Sequence, residues 1–220
     1  MATTVEARSR AQAAEPAERP AWYRRYQRQL MAAGIAIAAL LLVGWFVLTS
    51  GKRKEEFAAR SLNQARASAE AGNLPLASSQ LQKLITTYRG TDAAREAVIT
   101  LNQVRMVNGQ SELAVVGLQE FLASRPAAKY VAPANGLLGA ALENAKRWAD
   151  AGNAYARAAD AAEVSYLKAS YLVDAARSQR EAGHADEAIK TYRSLLQKYP
   201  DSPSATEAQV RLAELTAGKM

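Results

Sequence analysis

The hydrophobic pattern of the chain changes once, near residue 50. Residues 30–48 read LMAAGIAIAALLLVGWFVL and contain no charged residue, Asn, Gln or Pro. As a helix this stretch is about 28 Å long, close to the ~30 Å hydrocarbon core of a bilayer. A soluble helix has a polar face at a period of 3.6 residues, and this stretch has none. The pattern predicts a transmembrane anchor over residues 30–50, with the lipid bilayer as the partner of that segment.

Both ends of the apolar stretch favour a spanning helix. Aromatic and basic residues collect at the two interfaces of such helices; Trp22 and Arg24 precede this one, and Trp45 and Lys52 close it. A buried core helix and a cleaved signal peptide are the alternatives. Signal peptides have apolar cores of about 7–15 residues and a small-residue cleavage site, and the residues that follow here, TSGKRKEE, contain no A-x-A pattern. We therefore expect an uncleaved anchor.

From residue 55 onward, apolar residues recur at helical spacing and the whole pattern repeats every 37 residues. A small residue early in each second helix marks the repeat: Ala77, Ala114, Ala151 and Ala188. A large apolar residue follows four positions later in each unit: Leu81, Leu118, Tyr155 and Tyr192. Because residues four positions apart lie on one helical face, each unit is expected to bury one apolar stripe.

The turns and the first helices repeat with the same period. Five residues before the marker alanines come Gly72, Gly109, Lys146 and Gly183. Glycine suits the left-handed conformation that ends a helix. Twelve residues before the markers, on the first helix of each pair, come Ala65, Asn102, Gly139 and Ala176. Small residues at these positions would let paired helices approach closely.

These signals predict nine helices after the anchor, near residues 54–71, 74–88, 92–107, 110–124, 130–145, 147–160, 163–182, 185–198 and 202–216. Pro126, Pro133 and Pro200 are expected between one pair and the next. No segment alternates with the period of a strand. We predict an all-α fold, an N-terminal transmembrane helix followed by a right-handed helical solenoid. The solenoid covers residues 51–217, with four 37-residue units and a C-terminal capping helix.

The net charge of +7 belongs mainly to the region around the anchor. Residues 1–54 carry a balance of +6, and residues 55–220 a balance of +1. Because the large domain is nearly neutral, we predict no nucleic-acid partner. Residues 1–29 form a basic, Ala-rich tail that is expected to be cytoplasmic and largely disordered. Within fifteen residues of each end of the apolar stretch there are four Lys or Arg residues, so the positive-inside rule leaves the orientation open.

No residue pattern indicates catalysis. His184, the single histidine, falls in a predicted turn, and without Cys a zinc site is not expected. Glu55 and Glu56, like Asp186 and Glu187, lie near predicted helix starts, where negative charge offsets the helix dipole. No nucleophile elbow, P-loop or dinucleotide-binding glycine motif occurs. We predict that the protein is not an enzyme and binds no cofactor, metal or small-molecule substrate.

The repeats resemble the tetratricopeptide repeat. The likeness rests on Ala188-x3-Tyr192 with the following Pro200, and on Leu138-Gly139 ahead of Ala151. The period is longer than the usual ~34 residues, and no first helix contains Trp. The stretch EAIKTYRSLLQKYPDSPSATEAQVRLAEL resembles the last unit of envelope repeat proteins such as the Tol-associated cell-division coordinator. The layout of basic tail, one span ending in GWF and loose repeats is similar to the YfgM-like ancillary subunits of the bacterial Sec translocon.

The similarity to the YfgM-like subunits implies a single-pass protein of the bacterial inner membrane whose C-terminal domain faces the periplasm. Its partners would be other proteins: the translocon, chaperones or emerging client segments. A structural or assembly subunit of another envelope complex, for example in cytochrome maturation or division, is the alternative. A module directed to lipid or nucleic acid by the basic tail is a third and less favoured class.

A partner-binding groove is predicted on the first helices, because the first helix of each pair lines the concave face of a helical solenoid. The polar candidates are Asn63, Arg66, Thr100, Gln103, Glu143, Asn144, Asp174, Arg177 and Arg180. Their mixed charge favours weak and varied contacts over one tight ligand. An ordinary solvated face is the alternative interpretation.

Overall fold

The computed structural model describes residues 21–217, and within them the chain forms nine α-helices and no strand. The helices are α1 (Ala21–Glu70), α2 (Leu74–Thr87), α3 (Asp92–Val107), α4 (Ser111–Ala123), α5 (Ala128–Asn144), α6 (Trp148–Ala161), α7 (Ser165–Glu181), α8 (Ala185–Lys198) and α9 (Pro203–Thr216). The predicted all-α fold is confirmed. Contacts divide the chain between Gly51 and Lys52 into two units.

α1 runs without a break through the predicted anchor and into the first repeat. The expectation of two separate helices is therefore wrong. Gly51 stands at the expected interruption, but one Gly costs a helix only about 1 kcal/mol, and the Lys-Arg-Lys sequence at residues 52–54 favours helix. Residues 21–29 of the predicted tail also belong to α1, whereas residues 1–20 lie outside the described part of the chain.

The first unit exposes its apolar side chains. Leu40 is 72% exposed and Phe46 is 67% exposed. Among the described residues, the part of α1 from Met31 onward is the one helix long and apolar enough to cross a membrane, judged by length and composition alone. A signal sequence meets the same criterion, whereas the core helix of a soluble protein would be buried, and this apolar window is not.

The second unit stacks its helices in chain order. From α2 to α9 consecutive helices pack on one another, and α3 also contacts α5 while α7 contacts α9. Three apolar clusters follow one another along the stack: one joins α1, α2 and α3, the next joins α4 to α7, and the last joins α7, α8 and α9. The core is thus a line of local contacts, as in a repeat protein.

The predicted repeat positions form this core. All four marker alanines, Ala77, Ala114, Ala151 and Ala188, are fully buried. The large residues that follow them, Leu81, Leu118, Tyr155 and Tyr192, are at most 4% exposed. The 37-residue sequence repeat therefore corresponds to equivalent buried positions in the four helix pairs.

The turn inside each helix pair uses left-handed backbone. Gly72, Gly109 and Gly183 have φ angles of +78°, +73° and +83°, and Lys146 has +59° at the equivalent place. An L-residue with a side chain is disfavoured there by about 1–2 kcal/mol. The fold therefore keeps the turn geometry in the third pair even though the glycine is missing.

Side-chain caps start three of the described helices, α2, α3 and α9. Asn73 Oδ1 accepts from the backbone N–H of Leu76 at 3.2 Å. Thr91 Oγ1 accepts from the N–H of Ala94 at 3.1 Å. Ser202 caps α9 in the same way. Each cap satisfies a helix N–H that has no partner within the helix.

Pro133 differs from its prediction. It was expected between two pairs, but it lies inside α5. The buried face of this helix, which includes Tyr130, Ala134 and Leu138, extends on both sides of the proline. Pro133 has no N–H for the carbonyl of Lys129, four residues earlier. Its exposed ring points away from the core, so packing of the buried face outweighs the lost hydrogen bond.

Asn102 stands where a small residue was expected, and it is only 1% exposed. Gly117 on α4 supplies the space, because a Cβ atom there would lie 2.6 Å from Asn102 Oδ1. Asn102 Nδ2 donates to the carbonyl of Val98, and its Oδ1 accepts from Arg105 Nη1. In this pair the small residue has moved to the second helix.

Candidate functional site

The candidate site is the surface along residues 52–70 of α1 and along α3, α5 and α7, which we call the first-helix face. The structure brings the predicted residues together in two groups: Arg66, Thr100 and Gln103 line one cavity, and Glu143, Asp174 and Arg177 join one polar network. Arg180 pairs with Glu181 and Glu214. Asn63 and Asn144 are exposed.

Ion pairs connect neighbouring helices along the first-helix face. Each pair joins the first helix of one repeat to the first helix of the next, or α7 to the capping helix α9. The pairs are Arg66–Glu96 at 2.6 Å, Lys129–Asp92 at 2.7 Å, Arg177–Glu143 at 3.2 Å and Arg180–Glu214 at 3.7 Å. Most are exposed to solvent, and such pairs each stabilise a fold by about 1 kcal/mol at most.

Glu143 is the least exposed of the residues in these pairs. Its side chain is 17% exposed, and its carboxylate accepts from three side chains. Ser178 Oγ donates to Oε1 at 2.8 Å, Tyr155 Oη donates to Oε2 at 3.1 Å, and Arg177 Nη2 donates to both oxygens at 3.2 and 3.3 Å. This Glu143 network fixes α5, α6 and α7 relative to one another.

Asp174 completes the network through a 2.9 Å ion pair with Arg177. Burial raises the pKa of Asp174 above its usual value, although Arg177 opposes that shift. Burial lowers the pKa of Arg177, but Asp174 and Glu143 outweigh it and raise that pKa overall. Burial and the nearby Glu143 charge also raise the pKa of the Tyr155 hydroxyl. These groups satisfy one another, and the arrangement is structural.

An open cavity of about 370 Å³ lies at the other end of the first-helix face, between α1, α3 and the start of α2. Arg66, Thr100 and Gln103, three of the predicted groove residues, contribute to its wall. Its remaining lining is mostly apolar: Ala69, Leu74, Val104 and Val107, with Glu70 at the end of α1. This cavity is the part of the predicted groove that has room for a partner side chain.

Sequence reasoning missed several members of the site. Tyr155 was assigned only to packing, and Ser178, Glu96, Glu70 and Val107 were not singled out. Glu96 and Ser178 lie 30 and 35 residues from the groups that they bind, nearly one repeat. Comparing each polar residue with those one repeat away would have found them.

Glu55 was predicted to offset a helix dipole, and it does so at a helix other than the expected one. Its two carboxylate oxygens accept from the backbone N–H groups of Asp92 and Ala93, at 2.9 and 2.8 Å. The N-terminus of α3 is therefore capped from α1. Beside it, Lys54 Nζ donates to the carbonyl of Arg89 at 2.9 Å.

No metal centre occurs in the part of the chain that the structure describes, since no group of three His, Cys, Asp or Glu side chains could hold an ion. His184 precedes α8 as its N-cap residue and lies 3.5 Å from Glu187. Its side chain is half exposed. It is a turn residue, as the sequence predicted.

Comparison with known proteins gives a family and a fold. Residues 55–218 match the family model described as YfiO, outer membrane lipoprotein. No curated protein matches the chain.

Solved structures share the fold at low sequence identity. A kinesin light chain from Podosopora anserina with nearly identical TPR-like repeats is 16% identical, with a TM-score of 0.60, over 74% of this chain and 88% of that one. A MamA protein is 19% identical, with a TM-score of 0.58, over 74% and 83%. MamA from Desulfovibrio magneticus RS-1 is 18% identical, with a TM-score of 0.52, over 80% and 92%. The repeats are therefore tetratricopeptide-like.

Proposed function

The chain belongs to the YfiO family, described as outer membrane lipoproteins, and from that premise we propose that it is a membrane-anchored scaffold for protein–protein interaction in the bacterial envelope. One observation carries the proposal: a tetratricopeptide-like stack follows directly on an exposed apolar helix. Stacks of this kind present extended surfaces to partners.

The mode of anchoring departs from the family description. A bacterial lipid anchor is attached to Cys, and the 220 residues contain none. We propose that the apolar part of α1 replaces the lipid. Since outer-membrane spans are β-barrels and an apolar α-helix suits the inner membrane, we place the protein in the inner membrane as a single-pass protein, with the repeat domain in the periplasm.

The orientation can be tested with one thiol, because residues 1–220 contain no Cys. Gln119 is exposed on α4. In intact cells, Gln119→Cys should react with a membrane-impermeant maleimide as fast as it does after lysis. Protection that disappears on lysis would place the domain in the cytoplasm and contradict the proposal.

For the partner, we propose an ancillary role beside the Sec translocon or as a chaperone adaptor, which the layout shared with YfgM-like subunits supports. The second candidate is a structural or assembly subunit of another envelope complex, and the description of the YfiO family as outer membrane lipoproteins supports an envelope location for it. Purification of the full chain in mild detergent separates the two. Translocon channel or chaperones should copurify in the first case, and a different stoichiometric complex in the second.

A variant of the first-helix face makes this experiment specific. The side chains of Asn63 and Gln103 are exposed and make no hydrogen bond or ion pair within residues 21–217. The double variant Asn63→Glu/Gln103→Glu should therefore fold and lose the partner, while Gln119→Glu should keep it. If the double variant copurifies the same proteins in the same amounts, the groove assignment is wrong.

A further inference from the structure

An open, mostly apolar cavity lies between α1 and α3 on the first-helix face. A second open cavity, of about 300 Å³, lies between the starts of α5 and α7, next to the end of α6. The α1–α3 cavity is the one whose lining includes predicted groove residues, namely Arg66, Thr100 and Gln103. Val107 is 74% exposed, more than any other large apolar side chain of the described second unit.

The charges around this cavity favour a cation. Arg66 is neutralised by Glu96 at 2.6 Å. Glu70, on the rim, makes no hydrogen bond or ion pair within residues 21–217. It is also the last residue of α1, where the helix dipole adds partial negative charge, and no basic residue stands in that last turn. The rim therefore carries an uncompensated negative charge beside an apolar floor.

We infer that this cavity receives an apolar side chain of about leucine size from a partner protein, with a Lys or Arg next to it that pairs with Glu70. The inference rests on the proposed scaffold function and specifies the partner segment. Covering Val107 and the partly exposed Leu74 supplies the affinity, since removal of apolar surface from water drives association. The charge of Glu70 favours partner segments that carry a Lys or Arg next to the apolar side chain.

A thiol-tethering experiment can measure such weak contacts on the full-length chain in detergent. Gln103 is exposed in the cavity wall, so Gln103→Cys places the single thiol beside the site. Three capped probes, Leu-Lys-Cys, Leu-Glu-Cys and Ser-Lys-Cys, are equilibrated with it under a buffered thiol–disulfide couple. The fraction of mixed disulfide is then read by mass spectrometry. Gln119→Cys on α4 is the matched control for intrinsic thiol reactivity.

The structure predicts a specific order of capture. After normalisation to the control site, the fraction of mixed disulfide formed with Leu-Lys-Cys should exceed that formed with Leu-Glu-Cys by about three- to ten-fold. This ratio is the effect of an exposed ion pair compared with a contact between like charges. The fraction formed with Leu-Lys-Cys should exceed that formed with Ser-Lys-Cys by about ten-fold because of the apolar side chain. Adding Glu70→Lys should reverse the preference between the Lys and Glu probes. Glu70 is exposed and unpaired, so this change leaves the fold intact.

Equal capture of the three probes, or an unchanged preference in the Glu70→Lys chain, overturns the inference. The same Gln103→Cys chain, labelled with a benzophenone maleimide in membranes, separates this failure from failure of the proposed function. Protein adducts without any preference among the probes would support the scaffold function and refute only the inferred site at Glu70. Absence of both would contradict the scaffold as well.

Discussion

Replacing Glu143 with alanine should destabilise the repeat domain far more than the same replacement at Glu96. Both residues lie on helices of the first-helix face, and both pair with an arginine of a neighbouring helix. The two sites differ in burial: Glu143 is 17% exposed, and Glu96 is 48% exposed. Because the change in helix propensity is the same at the two sites, the difference between them reports the burial of Glu143 together with its additional hydrogen bonds.

The expected decrease in the free energy of unfolding follows from the hydrogen bonds that Glu143→Ala removes. Arg177 loses a charge-assisted hydrogen bond but keeps Asp174, and Ser178 keeps the carbonyl of Asp174. Tyr155, which is 4% exposed, loses the acceptor of its hydroxyl. Loss of a charged hydrogen bond costs about 1.5–3 kcal/mol, and an unsatisfied hydroxyl about 1–3 kcal/mol. Removing a carboxylate from the last turn of α5 returns about 0.5 kcal/mol. We expect a net loss of about 3 kcal/mol.

Thermal unfolding followed by circular dichroism at 222 nm measures this loss. For a domain of this size, 1 kcal/mol lowers Tm by about 2–4 °C, so Glu143→Ala should lower Tm by roughly 6–12 °C. Glu96→Ala removes an exposed pair and should cost at most about 1 kcal/mol. Equal shifts for the two variants would refute the claim that burial makes the Glu143 network important.

Three further predictions test separate features. Gly139→Ala should lower the free energy of unfolding, measured by urea titration, by about 1 kcal/mol. The new Cβ would lie 2.7 Å from the ring of Tyr155, and this overpacking exceeds the gain in helix propensity. Adding Tyr155→Leu should relieve that clash, although it also removes the hydrogen bond to Glu143. Because the pKa of Asp174 is raised in the folded state, its burial destabilises the fold at neutral pH, and this penalty disappears as pH falls through the raised pKa toward 3.8. Asp174→Asn should therefore lose that dependence between pH 7 and 4, and an unchanged pH profile of unfolding would contradict the assignment. Lys146→Gly should stabilise by about 1 kcal/mol, since φ is +59° there, and a lower Tm would show that the lysine side chain matters more than the backbone.

Features that depend on neighbouring residues in the chain were predictable from the sequence. The left-handed turns at Gly72, Gly109 and Gly183 depend on a few adjacent residues, and the structure has them where they were expected. The repeat also identified the buried stripe, because the period of the packing is the period of the sequence.

Features that depend on contacts across the stack were not predictable. Pro133 lies inside α5 because the buried face of that helix extends past it. Asn102 fits because Gly117, on another helix, leaves room for it. The sequence placed Arg66 and Arg177 on one face, but it could not show that one lines an open cavity and the other belongs to the Glu143 network.

Photocrosslinking in native membranes tests the central claim most directly, namely that a partner protein docks on the first-helix face. A benzophenone attached at Gln103→Cys is compared with one at Gln119→Cys, and both chains are expressed at natural levels. We predict discrete protein adducts from position 103 and few from position 119. No adduct at position 103, or the same adducts from both positions, would contradict the account.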